Sequence, residues 1–156
     1  MTKAVSFLRA GMSGAAPTGH VVLAHSERHL RRRLLTLPGG EDVLVDLPIA
    51  TAFEQGDCLV LEDGRLVEIR AADEDLMEVR AASPEALLAL AWHLGNRHLP
   101  AEIRPESIRV ARDHVIRDML ERLGAGIADI RAPFSPVRGA YHSHGHGHSH
   151  DHDHSH

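Results

Sequence analysis

The chain has 156 residues, 43% of them hydrophobic but only 3% aromatic, so its core must be built from leucine, valine, isoleucine and alanine. Its formal charge of −5 argues against nucleic acid as the main partner, because phosphate binding needs a basic surplus. No apolar run reaches the roughly 18 residues that cross a bilayer, and the N-terminus lacks the apolar core of a secretory signal. Cys58 is the single cysteine, which leaves no intrachain disulfide. We therefore expect a cytoplasmic protein that binds neither nucleic acid nor membranes.

Residues 1–72 are predicted to form a β-rich, partner-binding domain. The segments RHLRRRLLTL, EDVLVDLP and DCLVLEDGRLVEIR alternate partially between apolar and polar residues and are separated by PGG and QGD. Residues 62–65 are predicted to form a hairpin turn, in which Gly64 supplies a positive φ. The arginines at 31–33 fit either an anion site or the solvated face of a strand, and the second interpretation is favoured. Cys58 is expected to be a small buried apolar group.

Residues 73–138 are predicted to form a second domain that starts with a strand and a helix. The strand covers residues 76–80. Ser83 is suited to cap the helix and Pro84 to occupy its first turn, and Gly95 is suited to its end. The apolar stripe of this helix is assigned to Leu87, Leu88, Ala91, Trp92 and Leu94.

Two short extended stretches, AEIRP and SIRVAR, follow this helix. Asp113 is suited to cap a second helix from His114 to Leu123, with Gly124 just past its end. GIADIRAPF then predicts a last strand. The resulting order, β-α-β-β-α-β, is that of ferredoxin-like folds, so the predicted fold class is α+β, with residues 139–156 as a disordered His-rich tail.

The sequence YHSHGHGHSHDHDHSH closes the chain, with a histidine at every second position. It is interpreted as native, because a cloning tag is usually an unbroken run of histidines. Without apolar side chains it should be disordered in the absence of a ligand. Neutral imidazole is a ligand for Ni²⁺, Zn²⁺, Cu²⁺ and Co²⁺, so we predict metal binding here rather than a passive polar tail. The predicted ligands are His142, His144, His146, His148, His150, His152, His154 and His156.

Such a string of histidines discriminates poorly between metals, since affinity rises toward Cu²⁺ in any site of this kind. The tail therefore has the character of a reservoir, and delivery of metal needs a second, better-defined site. A flexible segment of about 18 residues has a root-mean-square reach of about 20–25 Å, which allows the tail to meet such a site.

The stretch GNRHLP, residues 95–100, follows an apolar helix that contains Trp-His. Alone, His98 in a loop is more often a surface histidine than a ligand. In this setting the chain resembles the UreE family of urease accessory proteins, which are nickel metallochaperones. The segments SERHLRRRLLTL, QGDCLVLEDG and DHVIRDMLERLG also resemble that family, and GNRH-x-P is the specific part.

The resemblance implies that His98 is the principal nickel ligand, placed at a homodimer interface where two copies face each other. Tail histidines of either subunit would supply the remaining ligands, with His142 and His144 the nearest along the chain. Asn96 and Arg97 are expected to shape the loop. The remaining site considered is His114, because some members carry additional histidines in this segment.

Arg112 stands where a second histidine of that accessory site can occur, so a helix-start role for Asp113 is favoured over metal binding at His114. Packing or a surface position is expected for His93, and no ligand role is expected for His20, His25 and His29.

By this resemblance the protein is not an enzyme but a metallochaperone that delivers Ni(II) for urease assembly. Its partners would be a second copy of itself, urease and the urease accessory proteins, including the assembly GTPase. The alternative is a general divalent-metal buffer that stores Ni²⁺, Zn²⁺ or Cu²⁺ on its tail. Imidazole ligation predicts that metal affinity falls as the pH drops through about 6.5, because protons compete for the same nitrogens.

Overall fold

The computed structural model describes residues 1–138, which form two β-sheets and two α-helices. The predicted tail, residues 139–156, lies outside the described residues. The first sheet has six strands: β1 (Thr2–Leu8), β2 (Gly19–Leu23), β3 (His29–Thr36), β4 (Asp42–Ala52), β5 (Cys58–Leu61) and β6 (Leu66–Ala71). Their order in the sheet is β2-β6-β5-β1-β4-β3, so β2 and β3 are the outer strands.

Strands β1 and β2 were not predicted, because neither shows a strong alternation of apolar residues. In β1 only Ala4 is buried, and the two strands join the sheet by parallel pairing with β4 and β6. The predicted hairpin is confirmed: β5 and β6 are antiparallel, and Gly64 between them has a φ of +88°. Cys58 is buried as predicted, and burial raises the pKa of its thiol, with Glu68 and Asp57 adding to the shift.

The second sheet has four strands: β7 (Asp73–Arg80), β8 (Glu102–Ile103), β9 (Ile108–Ala111) and β10 (Gly126–Pro133). Helix α1 (Pro84–Asn96) lies between β7 and β8 in the chain, and α2 (His114–Arg122) lies between β9 and β10. The sheet order β10-β7-β9-β8, with every pair antiparallel, confirms the predicted ferredoxin-like arrangement. The two sheets use residues on either side of position 72, and the division into two domains there stays a prediction. No helix within residues 1–138 is long and apolar enough to cross a membrane.

The helix caps follow the prediction. The Ser83 hydroxyl accepts a hydrogen bond from the amide of Ala86 at 3.1 Å, and Pro84 occupies the first turn of α1. Asp113 Oδ1 accepts from the amides of Val115 and Ile116 at 2.8 and 3.1 Å, which starts α2. The carboxylate of Asp113 is thereby committed to the helix end.

The predicted apolar stripe of α1 was wrong in part. Leu90 and Leu94 are the buried residues of this helix, with Leu87 and Ala91 packed beside them. Leu88 and Trp92 are 71% and 65% exposed. The spacing explains the error, because positions 87, 90, 91 and 94 lie on one helical face while 88 and 92 stack on another.

Arg28 joins the two sheets. It is 3% exposed, and its guanidinium donates to the carbonyl oxygens of Phe53 and Leu23 at 3.3 and 3.1 Å. It also donates to the carbonyl oxygen of Phe134, just after β10. A cation of the first sheet therefore fixes the end of the last strand of the second.

Candidate metal centre

Helix α1 ends in a Schellman motif that carries His98. The amide of His98 donates to the carbonyl oxygen of Gly95 at 3.1 Å, and the amide of Leu99 donates to that of Leu94 at 3.4 Å. These are the two hydrogen bonds that define the motif, with Arg97 as the C-cap residue and His98 one position beyond it. Leu94 is fully buried and Leu99 packs against the same core, so the turn is fixed to the body of the protein.

The backbone of His98 is left-handed, with a φ of +56°, and among residues 1–138 it is the only non-glycine residue with a positive φ. This position usually holds glycine or asparagine, because a Cβ crowds the following carbonyl group there at a cost of about 1–2 kcal/mol. Strained residues of this kind cluster at functional sites. The side chain of His98 is exposed, so its imidazole is available to a ligand.

A groove of about 570 Å³ lies on one side of the His98 turn, between the end of α1 and α2. Its lining residues are His93, Asn96, Arg97, Val115, Asp118, Met119, Arg122 and Leu123. Val115 and Leu123 are 55% and 44% exposed, so the groove presents apolar side chains to solvent beside the histidine.

A second cavity, of about 240 Å³, lies on the other side of the turn and is lined by Leu99 and Pro100 together with Asp113. Residues adjacent in sequence to His98 and residues adjacent to His114 line both the groove and the second cavity. Both histidines therefore lie at the same end of the second sheet. His114 is the first residue of α2 and is exposed. Arg112, which also lines the second cavity, donates to the carbonyl oxygens of Leu76 and Ile130 at 3.2 and 2.9 Å.

His25 also lines the second cavity, although no ligand role was expected for it. Its ring packs edge-on against Phe134 with centroids 5.6 Å apart, and its amide donates to Glu74 at 3.1 Å. Partial burial, together with the charge of Arg28, lowers the pKa of His25, and the Glu74 carboxylate opposes that shift. The lowered pKa favours the neutral form of the ring at the junction of the two sheets.

Asn96 and the histidines for which no ligand role was expected fall at separate places. Asn96 is the last residue of α1, consistent with a part in shaping the turn, and His93 is half-buried beside the groove. His20 and His29 lie on β2 and β3 of the first sheet. Within residues 1–138 no group of three or more His, Cys, Asp or Glu side chains is arranged to hold a metal ion.

The chain after β10 returns to the His98 region. The amide of Val137 donates to the carbonyl oxygen of Ala101 at 2.9 Å, three residues beyond His98. Arg138 donates to the carbonyl oxygen of Ala52 at 2.8 Å and pairs with Glu54 at 3.2 Å. The end of the described chain is therefore fixed close to the candidate centre. No sequence pattern pointed to these contacts, because they join residues far apart in the chain.

Comparison with known proteins decides the family. The model of the UreE urease accessory protein N-terminal domain matches residues 7–72, and that of the UreE C-terminal domain matches residues 74–156. This chain belongs to the UreE family. The matched C-terminal region contains the His98 turn and also the tail, so both predicted groups of ligands lie within the family's own boundaries.

Several UreE proteins are similar over most of the chain. "Urease accessory protein UreE" of Agrobacterium fabrum is 55% identical over 143 residues, which cover 92% of this chain and 89% of the relative. That of Mesorhizobium japonicum is 56% identical over 140 residues, or 89% and 71% of the two chains. "Urease accessory protein UreE 1" of Brucella suis is 52% identical over 142 residues, or 90% and 88%.

Proposed function

We propose that this protein is a nickel metallochaperone of urease maturation, which binds Ni(II) at His98 and releases it to the urease assembly complex. One observation carries the proposal: an exposed imidazole on a left-handed turn that is fixed by the Schellman hydrogen bonds at the end of α1. Nickel itself comes from family membership, because imidazole also binds Zn²⁺, Cu²⁺ and Co²⁺.

A single imidazole is a weak site, so further ligands must approach His98. The contact between Val137 and Ala101 supports a contribution from the tail. His142 lies five residues beyond Val137, and an extended chain of that length spans about 17 Å. Ala101 is three residues from His98, or about 11 Å at most. His142 and His144 are therefore the tail histidines proposed to complete the site.

A second copy of the chain is proposed to supply the other His98. The groove beside the turn supports this homodimer, because Val115, Met119 and Leu123 offer apolar surface next to the ligand. One histidine from each subunit would meet across a two-fold axis. Such a site has too few protein ligands to be a permanent structural one, which suits an ion that must leave again.

The proposed role is transfer in the cytoplasm and not catalysis. The receiving partners are urease and its accessory proteins, including the assembly GTPase. In this scheme the tail collects metal and raises its local concentration, while the paired His98 residues hold the ion that is handed over. His114, at the same end of the sheet, is proposed as an accessory ligand only.

Calorimetric titration with Ni²⁺ tests the proposal on four proteins: the full chain, His98→Ala, a truncation lacking residues 141–156, and His29→Ala as an exposed-histidine control. The tight site, about one ion per dimer, should vanish in His98→Ala and persist in the control. The truncation should keep a site of about one ion per dimer through the paired His98 residues, with weaker affinity because His142 and His144 are removed, and it should lose capacity. If His98→Ala binds as tightly as the full chain, the assignment fails. If the truncation loses nearly all binding, the protein is a metal buffer instead.

A further inference from the structure

Strand β4 carries a bulge at the edge of the first sheet. The regular pairing between the outer strand β3 and β4 is interrupted between Leu30 and Arg32. At this point the single residue Arg31 faces the four residues 47–50 of β4. Leu47 and Thr51 on the two sides of residues 48–50 are buried, at 3% and 8% exposure. Insertion of extra residues re-aims side chains and ends regular pairing, so this bulge is a defined feature of the sheet.

The tip of the bulge is apolar and faces solvent. Pro48, Ile49 and Ala50 are consecutively exposed, and Ile49 reaches 71% exposure. The hydroxyl of Thr51 donates to the carbonyl oxygen of Ile49 at 3.0 Å, which ties the tip to the sheet. A single exposed isoleucine is ordinary on a protein surface. Three consecutive exposed apolar residues, held in place at the tip of a bulge, form a small apolar surface that no other residue of the described chain covers.

Positive charge flanks this tip, although the chain as a whole carries −5. Arg31, Arg32 and Arg33 are all exposed on β3. Arg33 lies 3.6 Å from Glu27, whereas among residues 1–138 no carboxylate lies within ion-pair distance of Arg31 or Arg32. The bulge thus combines an apolar tip with two guanidinium groups that form no ion pair within residues 1–138, and Asp46 stands opposite Arg32 on the neighbouring strand.

Pairing of this edge with a foreign strand is disfavoured, because charged side chains and bulges both block edge-to-edge hydrogen bonding. A partner must therefore bind through side chains. We propose that residues 48–50 and the arginines of β3 form a docking surface, here the arginine–isoleucine surface, for a protein partner with an apolar pocket rimmed by carboxylates. Isoleucine fills the pocket, and the guanidinium groups pair with the carboxylates, which also steers the encounter.

This inference rests on the proposed function for one point only, the identity of the partner, which is taken to be the urease apoprotein assembled with its other accessory proteins. The test measures binding of the full chain to that purified assembly by interferometry, at two salt concentrations. Ile49→Asp removes the apolar tip, and the pair Arg31→Glu/Arg32→Glu reverses the charge. The matched controls are Ile103→Asp, which alters an apolar residue 54% exposed on β8, and Arg70→Glu/Arg80→Glu.

Ile49→Asp is expected to weaken binding at least tenfold, and the double arginine variant should also weaken it and flatten its dependence on salt. The two controls should stay within about twofold of the full chain. Thermal unfolding of Ile49→Asp should match that of the full chain, because the residue is exposed. Each variant is also titrated with Ni²⁺, and the tight site should be unchanged.

Equal binding by Ile49→Asp and the full chain overturns the surface, as does a full chain that fails to bind the assembly. Light scattering adds a further outcome: if Ile49→Asp changes the mass of the free protein, the surface joins two copies of this chain and the proposal is wrong. The two proposals can fail independently. If His98→Ala loses nickel binding and still binds the assembly, the metal centre stands whatever the outcome for the docking surface; if Ile49→Asp loses binding to the assembly and keeps nickel binding, the docking surface stands whatever the outcome for His98.

Discussion

The amide of Leu99 donates to the carbonyl oxygen of Leu94, and this hydrogen bond closes the turn that holds His98 in a left-handed conformation. The buried Leu94 of α1 thus fixes the turn from which the exposed imidazole of His98 projects. Two separate substitutions can test the strain of the left-handed backbone at His98 and the support that Leu94 gives to the turn.

Replacing His98 with glycine should make the protein more stable while removing the proposed ligand. A left-handed backbone costs a residue with a Cβ about 1–2 kcal/mol, and the greater freedom of glycine in the unfolded chain cancels part of that gain. The expected net increase in the free energy of unfolding is about 0.5–1 kcal/mol, measured by urea denaturation of metal-free protein. His98→Ala is the control, since it keeps the Cβ and should resemble the parent chain. A glycine variant no more stable than the alanine variant would show that the turn is unstrained.

Leu94→Ala should destabilise the protein by about 2–5 kcal/mol, because the side chain is fully buried under the turn and its removal leaves a cavity. Leu88→Ala is the matched control on the same helix: this residue is 71% exposed, and the change should stay within about 0.5 kcal/mol. Thermal unfolding of both variants decides the point. Similar losses in the two would mean that the buried face of α1 is assigned wrongly.

Arg28→Met should cost about 2–4 kcal/mol, because it leaves the carbonyl oxygens of Phe53 and Phe134 without the Arg28 donor in a buried place, whereas that of Leu23 still accepts from the amide of Ala72. Arg28→Lys keeps the charge with fewer donors in a different geometry, so it should recover only part of the loss. Chemical denaturation curves for the three proteins give the comparison. Full recovery with lysine would indicate that charge alone matters at this junction.

Stability should fall as the pH drops below the ordinary imidazole range, in part through His25. Since the fold lowers the pKa of His25, the unfolded chain binds a proton more readily, and the stabilising contribution present above about pH 6.5 is lost as the pH falls toward the folded-state pKa. His25→Gln should flatten the fall in melting temperature between about pH 7 and pH 5. His29→Gln, which replaces an exposed histidine of β3, is the matched control. An unchanged slope in His25→Gln would refute the assignment.

Val137→Pro should uncouple the tail from the metal centre. Proline has no amide hydrogen, so the bond to the Ala101 carbonyl is lost, whereas Val137→Ala keeps it. We expect weaker Ni²⁺ binding at the tight site in the proline variant, with the total capacity unchanged, as measured by calorimetry. Equal affinity in the two variants would mean that the tail does not need this attachment.

Local signals predicted much of the fold correctly. Ser83 and Asp113 marked the helix starts because each accepts amide hydrogen bonds within its own turn, and Gly64 marked the hairpin for a similarly local reason. Strands β1 and β2 were missed because their place depends on partners more than 40 residues away, at Val43 and Val67. Pairing over such distances leaves no pattern in a short segment.

The role of His98 as a metal ligand stays a prediction, and the geometry of the turn that carries it was not predicted. The helix was expected to end near Gly95, and it ends at Asn96. The left-handed conformation after a helix is usually taken by glycine, but here it falls on His98. Rules based on the conformational preferences of residues do not predict that a histidine adopts the left-handed conformation that glycine prefers. The attachment of Val137 to Ala101 was beyond prediction for the same reason as the first two strands.

Because β10 is the last strand in the chain, its synthesis determines when the candidate metal centre can form. Every residue of β7 pairs with β10, and the contacts of Phe134 and Val137 with the rest of the protein come later still along the chain. While the ribosome is producing α2, β7 lacks one of its two neighbours, and the turn after α1 has no finished sheet beneath it. The turn that carries the proposed ligand His98 would therefore be fixed in place only after translation of residues 1–138 is complete.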